Sequence, residues 1–501
     1  MKRSSGVLLN ISSLPGAYGI GDLSKDTENF IEQIASTGFS VWQTLPITSI
    51  GMGNSPYSGI STYAGNYLYL SPACFDEGLL TQNEIKENVY GGDIYLTNYE
   101  FAKDCKKKFL NIAFPRITES IQSKIDNFVK ENSNWVCDYA VYMCLKEQFG
   151  LKSWIEWDEE YRFYSKELIT TYTKNNFEKV NFFYFEQYLF YSQWNRVKHF
   201  ANEHNVQIFG DLPIYVSYDS VDVWANTNLF QLNKETLRPT KVAGVPPDYF
   251  AKEGQLWGNP LYNYTKMAED DYKWWVNRMK HALNIYDIVR IDHFRGLYKY
   301  WAVDANATTA IDGEWLDGPQ LKIIDAFNKA IINPNIIAED LGIIDKDVED
   351  FLEKSGYMGM RVMQFGFDGD VNNKHLPHNY IPNCVAYTGT HDNDTSLGWL
   401  LSLPDNVRQE VFEYTGCESS YGWANGAGQC IATKSLIHTV LSSCAKLAII
   451  PMQDLCGYGS DTRMNTPGLG EGCWRYRTNY SAISCVDRDF ICRNNQIYGR
   501  C

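Results

Sequence analysis

Ile285-Tyr286-Asp287-Ile288-Val289-Arg290-Ile291-Asp292 is a short, mostly apolar run that stops abruptly in charge. A strand that is wet on one face alternates apolar and polar residues, whereas a strand covered on both faces reads as a nearly continuous apolar stretch. This run is of the second kind. Seven more occur along the chain, at Val7 to Ile11, Val41 to Leu45, Val206 to Phe209, Ile336 to Ala338, Arg361 to Phe365, Cys384 to Tyr387 and Leu447 to Met452. Helical patterns lie between several of them. Phe30, Ile31, Ile34 and Ala35 recur at helical spacing, behind Ser24 as a cap and ahead of Gly38 as a stop. Phe185, Tyr188, Leu189, Val197, Phe200 and Ala201 repeat the pattern before the third run. Eight doubly covered strands with helices between them predict an α/β fold, a TIM (β/α)8 barrel spanning residues 1–501 as one unit.

Uneven spacing between the runs locates the insertions. Residues 47–205, between strands two and three, are far more than one crossover helix uses. They place Trp135, Trp154 and Trp157 in helical, aromatic surroundings, which predicts an inserted, largely helical subdomain. A second excursion, residues 212–284, lies between strands three and four. It contains the turn-rich segment Gly244-Val245-Pro246-Pro247-Asp248-Tyr249-Phe250, and residues 244–258 are expected to form a lid loop. Loops at the C-terminal mouth of such a barrel are where function is built.

Composition narrows the function classes. The chain has 501 residues with 45 Lys plus Arg against 60 Asp plus Glu, a formal charge of −15, so it lacks the basic footprint that binding a phosphate backbone requires. Nucleic acid is excluded as a partner. No apolar run reaches the ~18 residues of a membrane span, and the N-terminal apolar stretch is broken by Asn10 and Pro15, so a cytoplasmic location is expected. No feature implies a protein partner. The 13 cysteines form no Cys-x-x-Cys pair and read as reduced, mostly buried thiols, although Cys444, Cys456, Cys473, Cys485, Cys492 and Cys501 crowd the C-terminal end. Aromatics make up 15% of the chain, including 34 Tyr and 14 Trp, enough to leave amphipathic ring faces for a ligand such as a sugar.

In a parallel barrel, residues just past the strand ends share one mouth. Here they are Asp211, Arg290 with Asp292, Glu339, and His391 with Asp392. A lone Asp after a strand is commonly a helix cap, but independent caps need not gather at one end of one barrel. Arg290 and Asp292 stand at i and i+2 on a strand and project to one side, where the guanidinium is expected to hold the carboxylate ionised, as suits a nucleophile. Glu339 follows an apolar run that should raise its pKa, as suits a general acid. Retaining glycosyl transfer needs these two roles together: one carboxylate attacks the anomeric carbon while the other protonates the leaving oxygen. Asp392 would favour the cationic transition state, and His391 is a matching donor.

Arg290-Ile291-Asp292-His293-Phe294-Arg295-Gly296, Ala338-Glu339-Asp340-Leu341-Gly342 and Gly389-Thr390-His391-Asp392-Asn393-Asp394-Thr395 resemble motif blocks of the amylomaltases, bacterial 4-alpha-glucanotransferases of the alpha-amylase superfamily. So do Gly210-Asp211-Leu212-Pro213-Ile214, Ser55-Pro56-Tyr57-Ser58, Gly254-Gln255-Leu256-Trp257-Gly258-Asn259-Pro260 and Met464-Asn465-Thr466-Pro467-Gly468. The blocks run in family order from about Gly6 to Arg477. The resemblance implies Asp292 as nucleophile, Glu339 rather than Asp340 as acid/base, and Asp392 as transition-state stabiliser. It implies that Arg290, His391 and Asp211 contact the sugar at the scissile bond, and that Ser55, Tyr57, Asp248, Trp257 and Asn465 line the donor and acceptor cleft. Maltooligosaccharides and alpha-1,4-glucans would be the substrates, with no cofactor and no metal. The stretch from Thr478 to Cys501 runs past the usual family pattern.

Three rival functions fit the same residues. An alpha-amylase-like hydrolase would use the same three carboxylates with water as acceptor. A metal-dependent hydrolase would recruit His293, His391, Asp292 and Asp392 as ligands, but the chain has only 8 His and no His-x-His pair. A catalytically dead glucan-binding protein would not need Asp292, Glu339 and Asp392 intact.

Overall fold

The computed structural model describes residues 2–501 except 52, 77, 248–251, 343, 419–421, 427 and 470–471. Its strands, in chain order, are β1 (Ser4–Leu8), β2 (Val41–Gln43), β3 (Gln207–Leu212), β4 (Lys241–Val245), β5 (Gln255–Pro260) and β6 (Ile288–Ile291). There follow β7 (Lys299–Asp304), β8 (Gly313–Asp317), β9 (Ile336–Ala338), β10 (Gly359–Val362), β11 (Cys384–Tyr387) and β12 (Leu447–Pro451). Eight of them form one parallel sheet in the order β10-β11-β12-β1-β2-β3-β6-β9. A parallel bridge between Ile337 and Met358 joins its two ends, so the sheet closes into the (β/α)8 barrel.

Each of the eight apolar runs contributes a barrel strand, with shifted edges. β1 starts at Ser4 because Ser4, Ser5 and Gly6, though not apolar, are buried and pair with Leu447, Ala448 and Ile449 of β12. Ile285 ends the helix Lys273–Ile285 instead of opening β6. The sixth strand is Gly359–Val362, and Met363–Phe365, read as strand, is a single 3-10 turn. Around the barrel the helix Lys25–Ser36 is capped by Ser24, whose side chain accepts from the Asp26 N–H, and Gly38 follows it in the left-handed region.

Between β2 and β3 the chain is mainly helical and ends in the long helix Phe177–Glu203. Two glutamines of that helix act as staples. Gln187 accepts from the Gly65 N–H at 2.8 Å and donates to its carbonyl at 3.1 Å, and Gln193 does the same for Ser71 at 2.8 and 3.0 Å. They fix the segment leaving β2. Lys106, from the helix Tyr99–Ala113, lies 2.7 Å from Asp22 with both side chains 1% exposed. Removing one partner of a pair this buried would cost about 3–5 kcal/mol, because the other charge would be stranded.

A second, antiparallel sheet of order β5-β4-β7-β8 lies outside the barrel. Residues 244–258, expected as a lid loop, are strand at both ends. The structure places Gly244 and Val245 on β4 and Gln255 to Gly258 on β5, paired as a hairpin with Gly244 opposite Leu256 and Val245 opposite Gln255. β4 is paired in turn with β7, which follows the barrel strand β6. Short strands interrupted by Gly and Pro hide this pairing in the sequence. All 13 cysteines are free thiols; six are buried, and Cys444, Cys485 and Cys501 are exposed, so the expectation of mostly buried thiols overstated their burial. Among the described residues no helix is long and apolar enough to cross a membrane.

Candidate active site

Asp211 and Arg290 lie on β3 and β6, which run side by side with the two residues in register. Gly210 makes room beside them, since a Cβ there would stand 2.3 Å from the Tyr286 ring. The Arg290 guanidinium donates through Nε to Asp211 Oδ1 at 2.9 Å and through Nη2 to Asp211 Oδ2 at 2.6 Å. The same Nη2 reaches Asp292 Oδ1 at 2.8 Å and the Tyr57 hydroxyl at 3.1 Å. A planar fork can hold a carboxylate in this two-point manner, whereas an ammonium cannot.

Tyr57 arrives from the stapled segment after β2. Its hydroxyl donates to Asp211 Oδ2 at 2.6 Å and meets His391 Nε2 at 2.9 Å, and its ring stacks on His391 with centroids 5.4 Å apart. Ser55 accepts from the Tyr57 N–H at 3.3 Å and so shapes the turn that presents Tyr57. His391 Nε2 lies 3.3 Å from Asp392 Oδ2, while Asn465 donates to Asp392 Oδ1 at 2.6 Å. Burial holds His391 below the usual imidazole range, against the pull of Asp392, so the ring is neutral.

Glu339 follows β9. Its two carboxylate oxygens accept backbone N–H groups, Oε2 from His293 at 2.6 Å and Oε1 from Leu341 at 2.7 Å. His293 has a φ of 48°, and this left-handed turn lets the residue after Asp292 aim its N–H at Glu339. Trp257 of β5 meets the His293 ring edge-on at 4.9 Å. Burial pushes Glu339 up to about 7, opposed by Arg290 and the two N–H donors.

Asp292 departs from the sequence expectation. Its carboxyl is pushed well above the ordinary range, first by burial and then by Asp211, Glu339 and Asp392, with Arg290 acting in the opposite direction. One guanidinium faces several carboxylates, and its charge is shared between Asp211 and Asp292 rather than spent on Asp292 alone.

Arg290, Asp292, Asp211, Tyr57, His391, Asp392, Asn465 and Glu339 are thus linked around one mouth, with Ser55 behind Tyr57 and Trp257 at its edge through His293. Asp248 lies outside the described residues. Two further residues went unnoticed in the sequence. Arg463 donates to the Asp392 carbonyl at 2.7 Å and the Asn465 carbonyl at 2.7 Å, and Trp474 packs on both Tyr57 and His391 at 5.8 and 6.0 Å. Their only sequence signal is their nearness to Met464-Asn465-Thr466. Among the described residues no group of three or more His, Cys, Asp or Glu is placed to hold a metal ion.

An α/β barrel with paired carboxyls, a shared arginine and aromatic walls at its C-terminal mouth defines a class of enzymes acting on glycosidic bonds. The profile of one such family, glycoside hydrolase family 77, described as 4-alpha-glucanotransferase, matches residues 9–482. A 4-alpha-glucanotransferase from Clostridium butyricum is 38% identical over 497 residues, covering 98% of this chain and 100% of the relative. One from Aquifex aeolicus is 41% identical over 505 residues, covering 99% of each. Among solved structures, the amylomaltase from Streptococcus agalactiae in complex with acarbose superposes with a TM-score of 0.94 at 34% identity, over 100% of both chains. The chain belongs to the 4-alpha-glucanotransferase family, and its activity is that of the family, transfer of alpha-1,4-glucan segments.

Proposed function

We infer that this chain transfers maltooligosaccharide segments by double displacement. Asp292 attacks the anomeric carbon while Glu339 protonates the departing 4-oxygen. The glucan is then held as an ester on Asp292, and Glu339, now a base, takes the proton from the 4-hydroxyl of an incoming glucan or glucose, which displaces the ester oxygen. The observation that carries this reading is the unequal footing of two neighbouring carboxyls. Burial and the neighbouring carboxyls raise both groups, but Arg290 donates to Asp292 at 2.8 Å while Glu339 accepts backbone N–H groups, so it is Asp292 whose ionised form has a charged partner and Glu339 that is left to carry the proton.

Asp392, steadied by Asn465, faces the developing positive charge on the sugar ring, and Arg290, His391, Tyr57 and Asp211 orient its hydroxyls. The hairpin of β4 and β5 is the lid, with Trp257 on the acceptor side. An acceptor sugar fixed there gains a large effective molarity over bulk water, which favours transfer over hydrolysis. Incubation with maltotriose tests the reading. Transfer yields glucose and a ladder of longer oligomers with no rise in total reducing ends, and a rise in reducing ends would mean the hydrolase alternative. The acid role predicts activity that falls as pH rises through about 7.

A further inference from the structure

Asp340, the neighbour of Glu339, is 1% exposed. It occupies the seam where the barrel closes. On one side β9 is fully paired with β6, and the Glu339 N–H continues that ladder to the Ile291 carbonyl at 3.1 Å. On the other side, pairing between β9 and β10 is a single bridge, with the Ala338 N–H donating to the Met358 carbonyl at 2.9 Å. The next β10 donor on that edge, the Met360 N–H, goes instead to Asp340 Oδ1 at 2.6 Å, and Arg361 Nη1 donates to Asp340 Oδ2 at 2.9 Å. The side chain of Asp340 therefore stands in for the missing rung.

The partner strand is shaped for it. A Cβ on Gly359 would stand 2.9 Å from Asp340 Oδ1 and 3.0 Å from Oδ2, so only glycine leaves the carboxylate its place. We propose that Asp340 is a positioning residue for the acid/base Glu339: by latching β9 to β10 it fixes where the next carboxyl up the chain points into the mouth. The proposal rests on the reading of Glu339 as acid/base.

Electrostatics supply a second readout. Glu339 faces Arg290 and Asp292 across the mouth and Asp340 beside it; Asp340 faces Arg361 of β10 and, at 3.9 Å, Lys374, which also pairs with Glu349 at 3.3 Å. His375 accepts from the Val362 N–H at 3.1 Å and, held down at about 3, carries no charge near neutrality. Asp340 raises Glu339, and it also neutralises Arg361. Asp340→Asn removes one negative charge and unmasks one positive charge, so both effects lower the pKa of Glu339.

The test uses two donors, maltotriose, whose leaving sugar needs a proton, and alpha-glucosyl fluoride, whose fluoride leaves with little help. Asp340→Asn is expected to lower maltotriose turnover at least tenfold, to keep the single-turnover fluoride burst within about threefold of wild type, and to move the alkaline limb of the maltotriose pH profile downward. Gly359→Ala, which crowds the carboxylate without removing it, is expected to give the same donor split in milder form and serves if Asp340→Asn does not fold. Equal losses on both donors in the variant that folds, or no loss, overturn the proposal. Glu339→Gln is the control. If it loses the fluoride burst as well, the acid/base reading itself fails; if it splits the donors while Asp340→Asn and Gly359→Ala do not, only the role of Asp340 falls.

Discussion

Tyr57→Phe removes one oxygen from the most crowded point of the mouth. That oxygen meets Asp211 at 2.6 Å, His391 at 2.9 Å and Arg290 at 3.1 Å. The ring and its stacking on His391 and Trp474 stay, and Asp211 keeps both bonds from Arg290. The fold should therefore hold, with a melting temperature within a few degrees of wild type. The bond that matters is to an ionised partner, and such bonds contribute about 1.5–3 kcal/mol. If the hydroxyl keeps Arg290 and His391 aligned for the transition state, the loss appears in kcat/KM at about 1.4 kcal/mol per tenfold, a fall of roughly 10- to 100-fold. Initial rates of glucose release from maltotriose would measure it, with a thermal melt of the same sample. A variant within twofold of wild type, or one whose loss tracks a large drop in melting temperature, would refute the argument that this hydroxyl aligns the site.

Asp292→Asn should lower maltotriose turnover by several orders of magnitude with an unchanged melt, because no covalent step remains; a tenth of wild-type turnover would remove Asp292 from the nucleophile role. Trp257→Ala should weaken acceptor use more than donor cleavage, so that hydrolysis rises relative to transfer, and an unchanged ratio would place acceptor selection elsewhere. Glu186, buried on the helix Phe177–Glu203, is raised by burial to about 7 from 4.5. The folded state keeps a proton that the unfolded state has lost between those values, so stability should fall by up to roughly 3 kcal/mol as pH rises across that window. Glu186→Gln should flatten that part of the stability curve measured by urea unfolding, and an unaltered slope would assign it to other groups. Exhaustive chelation should leave glucan transfer intact, and loss of activity restored by added metal would favour the metal-hydrolase rival.

The barrel was legible because a strand covered on both faces must be apolar throughout, and runs such as Cys384 to Tyr387 have no other economical reading. The strand-end residues Asp211, Arg290, Asp292, Glu339, His391 and Asp392 were legible for the same reason, since closing the barrel gathers its ends. Tyr57 and Asn465 were not, because long connections carry them to the mouth and no local periodicity says where such connections return; only the family resemblance pointed to them. The sheet of β4, β5, β7 and β8 was hidden because its pairing joins two separate excursions. The charge balance at Asp292 is not legible in the sequence because Asp211, Glu339 and Asp392, from three other barrel strands, add their fields at one point, which a two-residue reading of Arg290 and Asp292 cannot include.

That sheet also sets where the molecule can be altered piecemeal. From Lys241 to Gly244, β4 is matched residue for residue to β7, whose Trp301, Ala302, Val303 and Asp304 follow the barrel strand β6 by only a short turn. At the root of the hairpin Val242 and Gly244 therefore answer to two neighbours, β5 on one side and β7 on the other. Exchanging hairpin tips between relatives has natural graft points at Val245 and Gln255, the last pair of the ladder. A swap made beyond that pair leaves the ladder to β7 intact, whereas one made inside it also rewrites what packs against the chain leaving β6.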